Sequence, residues 1–439
     1  MNGDSRAEDI VPGGSVTRAR SQTSASAGSR AAEERNSMKK TALRFMVCSD
    51  LHYGGPDCRE KQRFEEGLRQ LYAYADGQEY SRVDAVYIVG DFATDGTLGQ
   101  MKLVKESLDR GIRPGTVVNL SMASHEYHEP HGEEGARRFF AEVFGQPADT
   151  HRVIGGYHFI SVSVTEDNHF RAPQIAFAER ELEAARDGGA EKPIFFFQHP
   201  HLTGTVYGSI FWGERDLIPT LIHYPQIIDF SGHSHAPIND PRSIHQDYLT
   251  SVGTGTFSYF EMDEFDKPYG TFPPDAGCAA QMQIVEVYED NSVLIRPWDV
   301  ITGQFFHDGW LVERAWDPSS FAYTREKRER EAPVLHFGPE AALHAEQTGE
   351  GLEVVFDQAL ELEKGEVNDY LITVTDPEGR ISRRYALWAP YYLMNRPEKM
   401  RYTFPPLAPG TWTVSVTARG FFGNRSENTL EARLVVGES

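Results

Sequence analysis

The sequence predicts an α/β domain of layered architecture followed by a small all-β sandwich. Three observations carry this. From about residue 42 to 235, apolar runs of four to eight residues alternate with longer segments of helical spacing. Beyond about residue 334, short stretches alternate apolar and polar residues at period two, and a dense run of charge separates the two regions.

Taken in order, the apolar runs lie at 43–48, 85–89, 117–122, 158–164, 194–197 and 227–230. Val, Ile and Phe dominate them, as in strands covered on both faces. Between them, 60–74, 99–110, 135–144 and 174–186 place apolar residues three and four apart, which predicts helices. From 281 to 298 the period becomes two around Asp290 and Asn291, a hairpin that closes the domain. The run Thr324-Arg325-Glu326-Lys327-Arg328-Glu329-Arg330-Glu331 ends at Ala332-Pro333 and reads as a solvated linker or short surface helix with a break after it. Strands are then expected at 352–356, 370–375, 382–387, 401–404, 411–418 and 432–436, separated by turn signals such as Asp376-Pro377-Glu378-Gly379. About 105 residues with six or seven short strands and no cysteine fit an immunoglobulin- or fibronectin type III-like sandwich without a disulfide. Trp388, Tyr391, Tyr392 and Trp412 are expected in its core, with a sugar-binding face as the alternative.

Composition bounds the function. The 439 residues carry 43 Lys and Arg against 65 Asp and Glu, a net charge of -22. Affinity for polyphosphate backbones comes largely from cationic side chains displacing counterions, so nucleic acid is not an expected partner. No stretch approaches the roughly 20 apolar residues of a membrane span. Three cysteines, Cys48, Cys58 and Cys278, cannot frame a disulfide scaffold, so a reduced, cytoplasmic compartment is expected, with export as the alternative. The first 37 residues are small, polar and aperiodic, without the apolar core of a secretory signal, and read as a disordered extension through residue 40. There is no phosphate-loop, nucleophile-elbow or dinucleotide fingerprint.

The chemistry sits at the strand ends. Asp50 and His52 follow the first predicted strand, Asp91 the second, His125 the third, His199 the fifth, and His233 with His235 the sixth. Ligands of open parallel sheets bind beyond the carboxyl ends of strands, so these groups are predicted to converge although up to 185 residues separate them. Asp50 and His52, like His233 and His235, are two apart, a spacing that in extended chain puts both side chains on one side. A lone Asp at a strand end is usually a cap, and a lone buried His is usually satisfied by hydrogen bonds. The ordered combination is what points to metal.

That order, Asp-x-His, Gly-Asp, His-Glu, His, Gly-His-x-His, resembles the calcineurin-like metallophosphoesterases over about residues 42–300. It looks nearest to bacterial members with a carboxyl-terminal β-sandwich, because Gly204-Thr205-Val206-Tyr207-Gly208-Ser209 and Asn239-Asp240-Pro241-Arg242-Ser243-Ile244 resemble stretches found there. The resemblance implies an αββα sandwich of two facing mixed sheets; together with the charge run and the period-two strands, the expected bounds are a catalytic domain at 41–318, a charged linker at 319–333 and the β-sandwich at 334–439. It makes Asp50, His52 and His235 ligands of one ion, and Asp91 a bridge to a second held by His199 and His233. It places His125 beside the scissile bond. Where the family has Gly-Asn-His, this chain has Ala123-Ser124-His125, so Ser124 stands in a position whose amide normally binds the second metal. Its neutral, shorter hydroxyl implies a weaker second site.

Carboxylate and imidazole ligands suit Fe, Mn, Zn or Ni without choosing among them. Two such ions about 4 Å apart clamp a phosphoryl group and acidify a bridging water for in-line attack. His125 would protonate the leaving alkoxide. Glu126 either orients His125 or is a plain surface acid. His128 and His131 are expected to be solvated, while His201, Tyr207, Phe211 and Trp212 are candidate substrate contacts. The expected function is hydrolysis of a small phosphomonoester or phosphodiester at a dinuclear centre. The alternative is a binding or scaffold protein that has kept the fold and weakened the site through Ser124.

Overall fold

The computed structural model describes residues 39–129, 132–186, 188–262 and 270–437; the expected N-terminal extension before residue 39, and His131, lie outside them. Two mixed sheets form the first part of the chain. It runs through β1 (Thr41–Cys48), α1 (Arg59–Asp76), β2 (Ala85–Val89), α2 (Leu98–Gly111), β3 (Val117–Ser121), α3 (Gly132–Phe144), β4 (Thr150–Ile154), β5 (Tyr157–Ser161), α4 (Ala172–Arg186) and β6 (Ile194–Phe197). There follow β7 (His201–Leu202), the single turn α5 (Ser209–Trp212), β8 (Gly213–Glu214), α6 (Ile218–Leu221), β9 (Ile227–Ser231), β10 (Ile244–Gln246) and β11 (Thr250–Gly253). Then β12 (Gln281–Tyr288), β13 (Val293–Asp299), β14 (Gln304–Phe305) and β15 (Trp310–Val312) close this part.

The first sheet has the order β14-β13-β12-β1-β2-β3, with β15 also on β13; the second is β10-β11-β9-β6-β5-β4. In the first, β1, β2 and β3 are parallel and β12 joins β1 antiparallel. In the second, β5, β6, β9 and β11 are parallel, with antiparallel β4 and β10 at the edges.

Period-two alternation makes both faces of each sheet apolar. Phe45 and Val47 of β1 point to the second sheet, where Phe45 meets Phe195 at 4.8 Å and Tyr87 stacks on Phe197 at 4.0 Å between ring centroids. Met46 and Cys48 point the other way, into Phe64, Leu68, Val104 and Phe140 of the helices α1 to α3. On the far side, α4 and the segment around α6 cover the second sheet through Ala178, Leu182 and Leu221 against Ile160 and Phe196. The four layers are the αββα sandwich that the resemblance implied.

The predicted strand at 158–164 stops at Ser161, and β4 was not foreseen: Thr150-His151-Arg152-Val153-Ile154 is half polar because it is an edge strand with one wet face.

The C-terminal part is all β. Strands β16 (Leu343–Gln347), β17 (Leu352–Asp357) and β20 (Lys399–Phe404) form one antiparallel sheet. Strands β18 (Asp369–Thr375), β19 (Ile381–Trp388), β21 (Gly410–Arg419) and β22 (Leu430–Val436) form the other, in the order β19-β18-β21-β22. Leu352, Val354, Phe356, Tyr370, Ile372, Val374, Val414 and Val416 fill the space between them. Trp388 is buried there; Tyr391 and Tyr392 are buried at the seam with the α/β part, and Trp412 is half-buried. The Tyr391 hydroxyl donates to Asp240 Oδ2 at 2.7 Å, and the Tyr392 hydroxyl to Pro274 O at 2.7 Å.

The charged run forms α7 (Arg325–Glu331), capped by Thr324, whose hydroxyl accepts the Lys327 amide at 3.3 Å. It is not wholly solvated as expected: Arg328 turns inward and donates to Pro241 O.

Candidate metal centre

Each predicted ligand sits just past the C-terminal end of a strand, where the chain must turn at once to aim a side chain into the crevice. Five of them do so in the left-handed region: Asp50 (φ 53°), His52 (φ 47°), Asp91 (φ 49°), His233 (φ 71°) and His235 (φ 53°). The expectation that Asp50 and His52 share a side because the chain is extended is therefore corrected. Each such residue costs roughly 1–3 kcal/mol, a strain that persists only where the surroundings over-determine it. Here they do: Asp50 N donates to Gly90 O (3.1 Å), His52 N to Asp91 O (3.0 Å) and Gly232 N to His199 O (2.9 Å), which locks neighbouring strand ends together. Gly90 is required at φ +80°, because a Cβ there would lie 2.6 Å from both Ala123 Cβ and His199 Nδ1.

The side chains converge as two sets, Asp50 with His52 and His235, and Asp91 with His199 and His233; a further set joins His52, Asp91 and His125. Within each set the ligand atoms lie within 4.8 Å of one another. Asp50 Oδ1 is at the middle: His235 Nε2 is 3.2 Å away, His199 Nε2 3.8 Å and His52 Nε2 3.9 Å. His199 Nε2 is 2.9 Å from Asp91 Oδ2, and the Nε2 atoms of His52 and His235 are 3.1 Å apart.

The outer nitrogens are tied. His199 Nδ1 is 2.7 Å from Val89 O and His235 Nδ1 is 2.9 Å from Tyr259 O, so each ring donates outward and turns its Nε2 toward the centre. Asp50 Oδ2 accepts from Ser49 Oγ and from His233 N at 3.1 Å.

The electrostatics follow from two buried carboxylates among imidazoles. Burial alone would raise the Asp50 carboxyl, but His235 and His199 outweigh it and hold it well below the usual range; His199 does the same for Asp91. Burial lowers His52 to about 4 and His233 to about 3. At His199 burial is overcome by Asp91 and Asp50, which lift the imidazole to about 10, and Asp50 likewise raises His235. Asp50 Oδ1 and His199 Nε2 are buried and make no well-directed hydrogen bond. Two anions that attract charge, imidazole nitrogens aimed inward and unsatisfied buried atoms are together the environment that a metal cation satisfies. The donor set fits the pair of ions expected.

The other candidates fall out differently. His125 lies edge-on to His52 at 4.6 Å, its amide donates to Asp91 Oδ1 at 3.1 Å, and its Nδ1 is 2.6 Å from Thr94 O. Thr94, which sequence reasoning missed, is thus the group that orients the ring. Glu126 is neither the orienter nor a surface acid. It is fully buried, and its oxygens accept the amides of Asp91 (3.0 Å), Ala93 (3.0 Å) and Ala123 (2.8 Å). Burial and the Asp91 charge push its carboxyl well up, while the amides of Ala93 and Ala123 pull against them.

Ser124 opens the 3-10 turn Ser124–Tyr127, half-buried, next to the residue whose amide contacts Asp91. His201 is buried, with Nδ1 2.8 Å from the hydroxyl of Ser231 and Nε2 2.8 Å from that of Ser234, so both ring nitrogens are already engaged. Tyr207 is buried beneath the Arg242 guanidinium at 4.0 Å. Trp212 stays close, edge-on to His233 at 4.7 Å. Exposed His128 packs on His125 at 4.3 Å between ring centroids. Asn168 was not anticipated; its Nδ2 lies 3.0 Å from His233 Nε2, and no sequence signal distinguished it within a polar loop.

Carboxylates and imidazoles gathered at the strand ends of an αββα sandwich define a class, the metal-dependent phosphoester hydrolases. The profile of the calcineurin-like phosphoesterase family matches residues 43–237, which form a calcineurin-like phosphoesterase domain. Comparison with curated proteins gave no match. Among solved structures, purple acid phosphatase PPD1 from yellow lupin (Lupinus luteus) seeds is 15% identical, with a TM-score of 0.44, over 61% of this chain and 53% of that one. The chain thus spans about half the length of the lupin phosphatase. The spore cortex lytic enzyme SleM of Clostridium perfringens is 11% identical, with a TM-score of 0.16, over 81% of this chain and 92% of that one.

Proposed function

We propose that the protein hydrolyses a small phosphomonoester or phosphodiester at a dinuclear centre of Fe, Mn, Zn or Ni. The observation that carries this reading is the meeting of Asp50, His52 and His235 with Asp91, His199 and His233 through a shared neighbourhood around Asp91 and His52. Asp50, His52 and His235 would hold one ion, His199 and His233 the other, and Asp91 both. Bound there, the ions would supply Lewis-acid polarisation of the phosphoryl oxygens and an acidified water.

The chain's own groups do the rest. The Thr94 carbonyl fixes His125 with its Nε2 free to deliver a proton to the leaving oxygen. Glu126 holds the Asp91 and His125 loops at a set distance, and Trp212 walls the His233 side. The two-sheet order of the C-terminal strands supports the immunoglobulin- or fibronectin type III-like reading of residues 334–439.

The test is metal analysis together with turnover of p-nitrophenyl phosphate and its bis ester after loading with each of the four metals. Fewer than two ions per chain, or no turnover with any of them, defeats the proposal. The scaffold reading, favoured by Ser124 alone, is separated by Ser124→Asn: a large gain in both second-ion occupancy and turnover would indicate that the natural site is compromised.

A further inference from the structure

A second cavity shares no residue with the metal centre. It has a volume of about 490 Å³ and opens at the seam between the α/β part and the all-β part. Its size and its setting between two structural units are those of a small-molecule site. Three arginines, Arg242, Arg325 and Arg328, line it together with Tyr207, Phe421 and Phe422. In a chain of net charge -22, that is a local inversion of sign.

The three cations are not equivalent. Arg242 is committed to the wall: it forks onto Asp240 at 2.8 and 2.5 Å and lies 4.0 Å over Tyr207 and 4.8 Å over Phe421. Arg325 is exposed at the rim and pairs with Glu329 at 2.7 Å. Arg328 is half-buried, lies 5.1 Å over Tyr323 and 5.5 Å over Phe422, and donates to Pro241 O. Among the described residues it forms no ion pair. Burial draws its guanidinium down to about 10, the direction expected of a partly buried cation whose nearby carboxylates do not compensate it. At the mouth, Ile210 and Phe211 leave 69% and 57% of their surface exposed, which is apolar area facing the same space.

We propose that this cavity binds a small ring-bearing organic anion, its phosphate or carboxylate on Arg328 and Arg325 and its flat apolar body against Phe211 and Phe422. Arg328 supplies the planar donor fork that such groups accept, and Arg325 adds rim charge that Glu329 releases at little cost because the pair is exposed. The site stands independently of the proposed reaction.

The experiment is isothermal titration of the full, metal-loaded chain with phenylphosphonate, whose carbon–phosphorus bond resists hydrolysis. Benzoate, inorganic phosphate and benzyl alcohol are the comparison probes. Asp91→Ala disables the metal centre, so binding retained in that variant belongs to the cavity. Adding Arg328→Gln should then weaken phenylphosphonate about tenfold, the worth of one charge-assisted hydrogen bond, and leave p-nitrophenyl phosphate turnover of the otherwise native protein unchanged. Arg325→Gln, on the surface and without risk to folding, should weaken it by a smaller, salt-sensitive factor.

If benzoate matches phenylphosphonate the anion is carboxylate-tolerant; if it falls behind, the site prefers phosphate; both support a ring-bearing anion. Binding that vanishes with Asp91→Ala alone, binding unmoved by both arginine variants, or benzyl alcohol or inorganic phosphate binding as tightly as phenylphosphonate would each overturn the proposal.

Discussion

Glu126 Oε2 accepts the backbone amide of Asp91 at 3.0 Å and so fixes the proposed bridging carboxylate from behind. The same oxygen takes the Ala123 amide at 2.8 Å, and Oε1 the Ala93 amide at 3.0 Å. One buried side chain thereby ties the loop after β2 to the loop after β3, and the spacing of Asp91 and His125 depends on it.

Glu126→Gln keeps the shape but offers one acceptor oxygen, and its NH2 must oppose at least one amide donor. Leaving a buried donor unmet costs ~1–3 kcal/mol. The expected outcome is a lower Tm by several degrees and loss of metal from the Asp91 side, read by calorimetry and metal analysis. An unchanged Tm with full metal content would remove Glu126 from this role.

His125→Ala tests proton delivery separately from metal binding. General acid catalysis contributes ~10²–10⁴-fold. The loss in kcat should be near the upper end for an alkyl phosphate, whose alkoxide needs the proton, and small for p-nitrophenyl phosphate, whose phenolate leaves without one. Metal content should stay at the native value, because the groups that would hold the two ions are otherwise intact. Equal losses on both substrates would mean that His125 does not protonate the leaving group.

How much of this was legible from the chain depends on what each residue's role requires. The strands at 85–89 and 194–197 end where expected because both faces of each are buried, and continuous apolar runs record that directly. The convergence of Asp50, His52, Asp91, His199, His233 and His235 followed from their place at strand ends, yet the reason offered for the i, i+2 pairs was wrong: these residues are left-handed, a property that no spacing encodes. Glu126 defeated both of its expected roles because burying a carboxylate under three amides requires two loops to meet, which only the tertiary fold decides. Asn168 and Arg328 were hidden for the same reason. Each looks like a solvated residue in a polar stretch until a distant segment, that of His233 or of Pro241, comes to face it.

Gly90→Ala, with Gly115→Ala as its reference, isolates the crowding around His199. Both glycines have positive φ, +80° and +93°, so each alanine carries a left-handed penalty of ~1–2 kcal/mol. At Gly115 nothing lies within 4 Å of the added carbon, whereas at Gly90 it would press on His199 Nδ1 and Ala123 Cβ at 2.6 Å. The excess destabilisation at Gly90, ~1–3 kcal/mol of overpacking, should come with weakened second-ion binding as His199 is pushed off Val89 O. Chemical denaturation and metal titration of the two variants read this, and matching results would show that the cleft tolerates the added carbon.

Glu214 gives the fold a pH dependence of its own. Burial raises its carboxyl from 4.5 to about 8, against the pull of the Asp216 and Leu217 amides, and its Oε1 has no hydrogen-bond partner among the described residues. The sign follows from linkage. Below about pH 4.5 the group is protonated in both the folded and unfolded chain, and its contribution is complete. Between about 4.5 and 8 the unfolded chain gives up the proton while the folded chain keeps it, so stability falls as pH rises, by at most ~1.4 kcal/mol per unit. Glu214→Gln stays neutral and keeps an oxygen for the Asp216 amide. Urea unfolding of both proteins from pH 5 to about pH 9 cancels every group that titrates alike in the two, leaving this one. The variant should gain on the native protein steadily at first and stop gaining above about pH 8, and parallel curves would mean that the carboxyl is ionised in the folded state throughout.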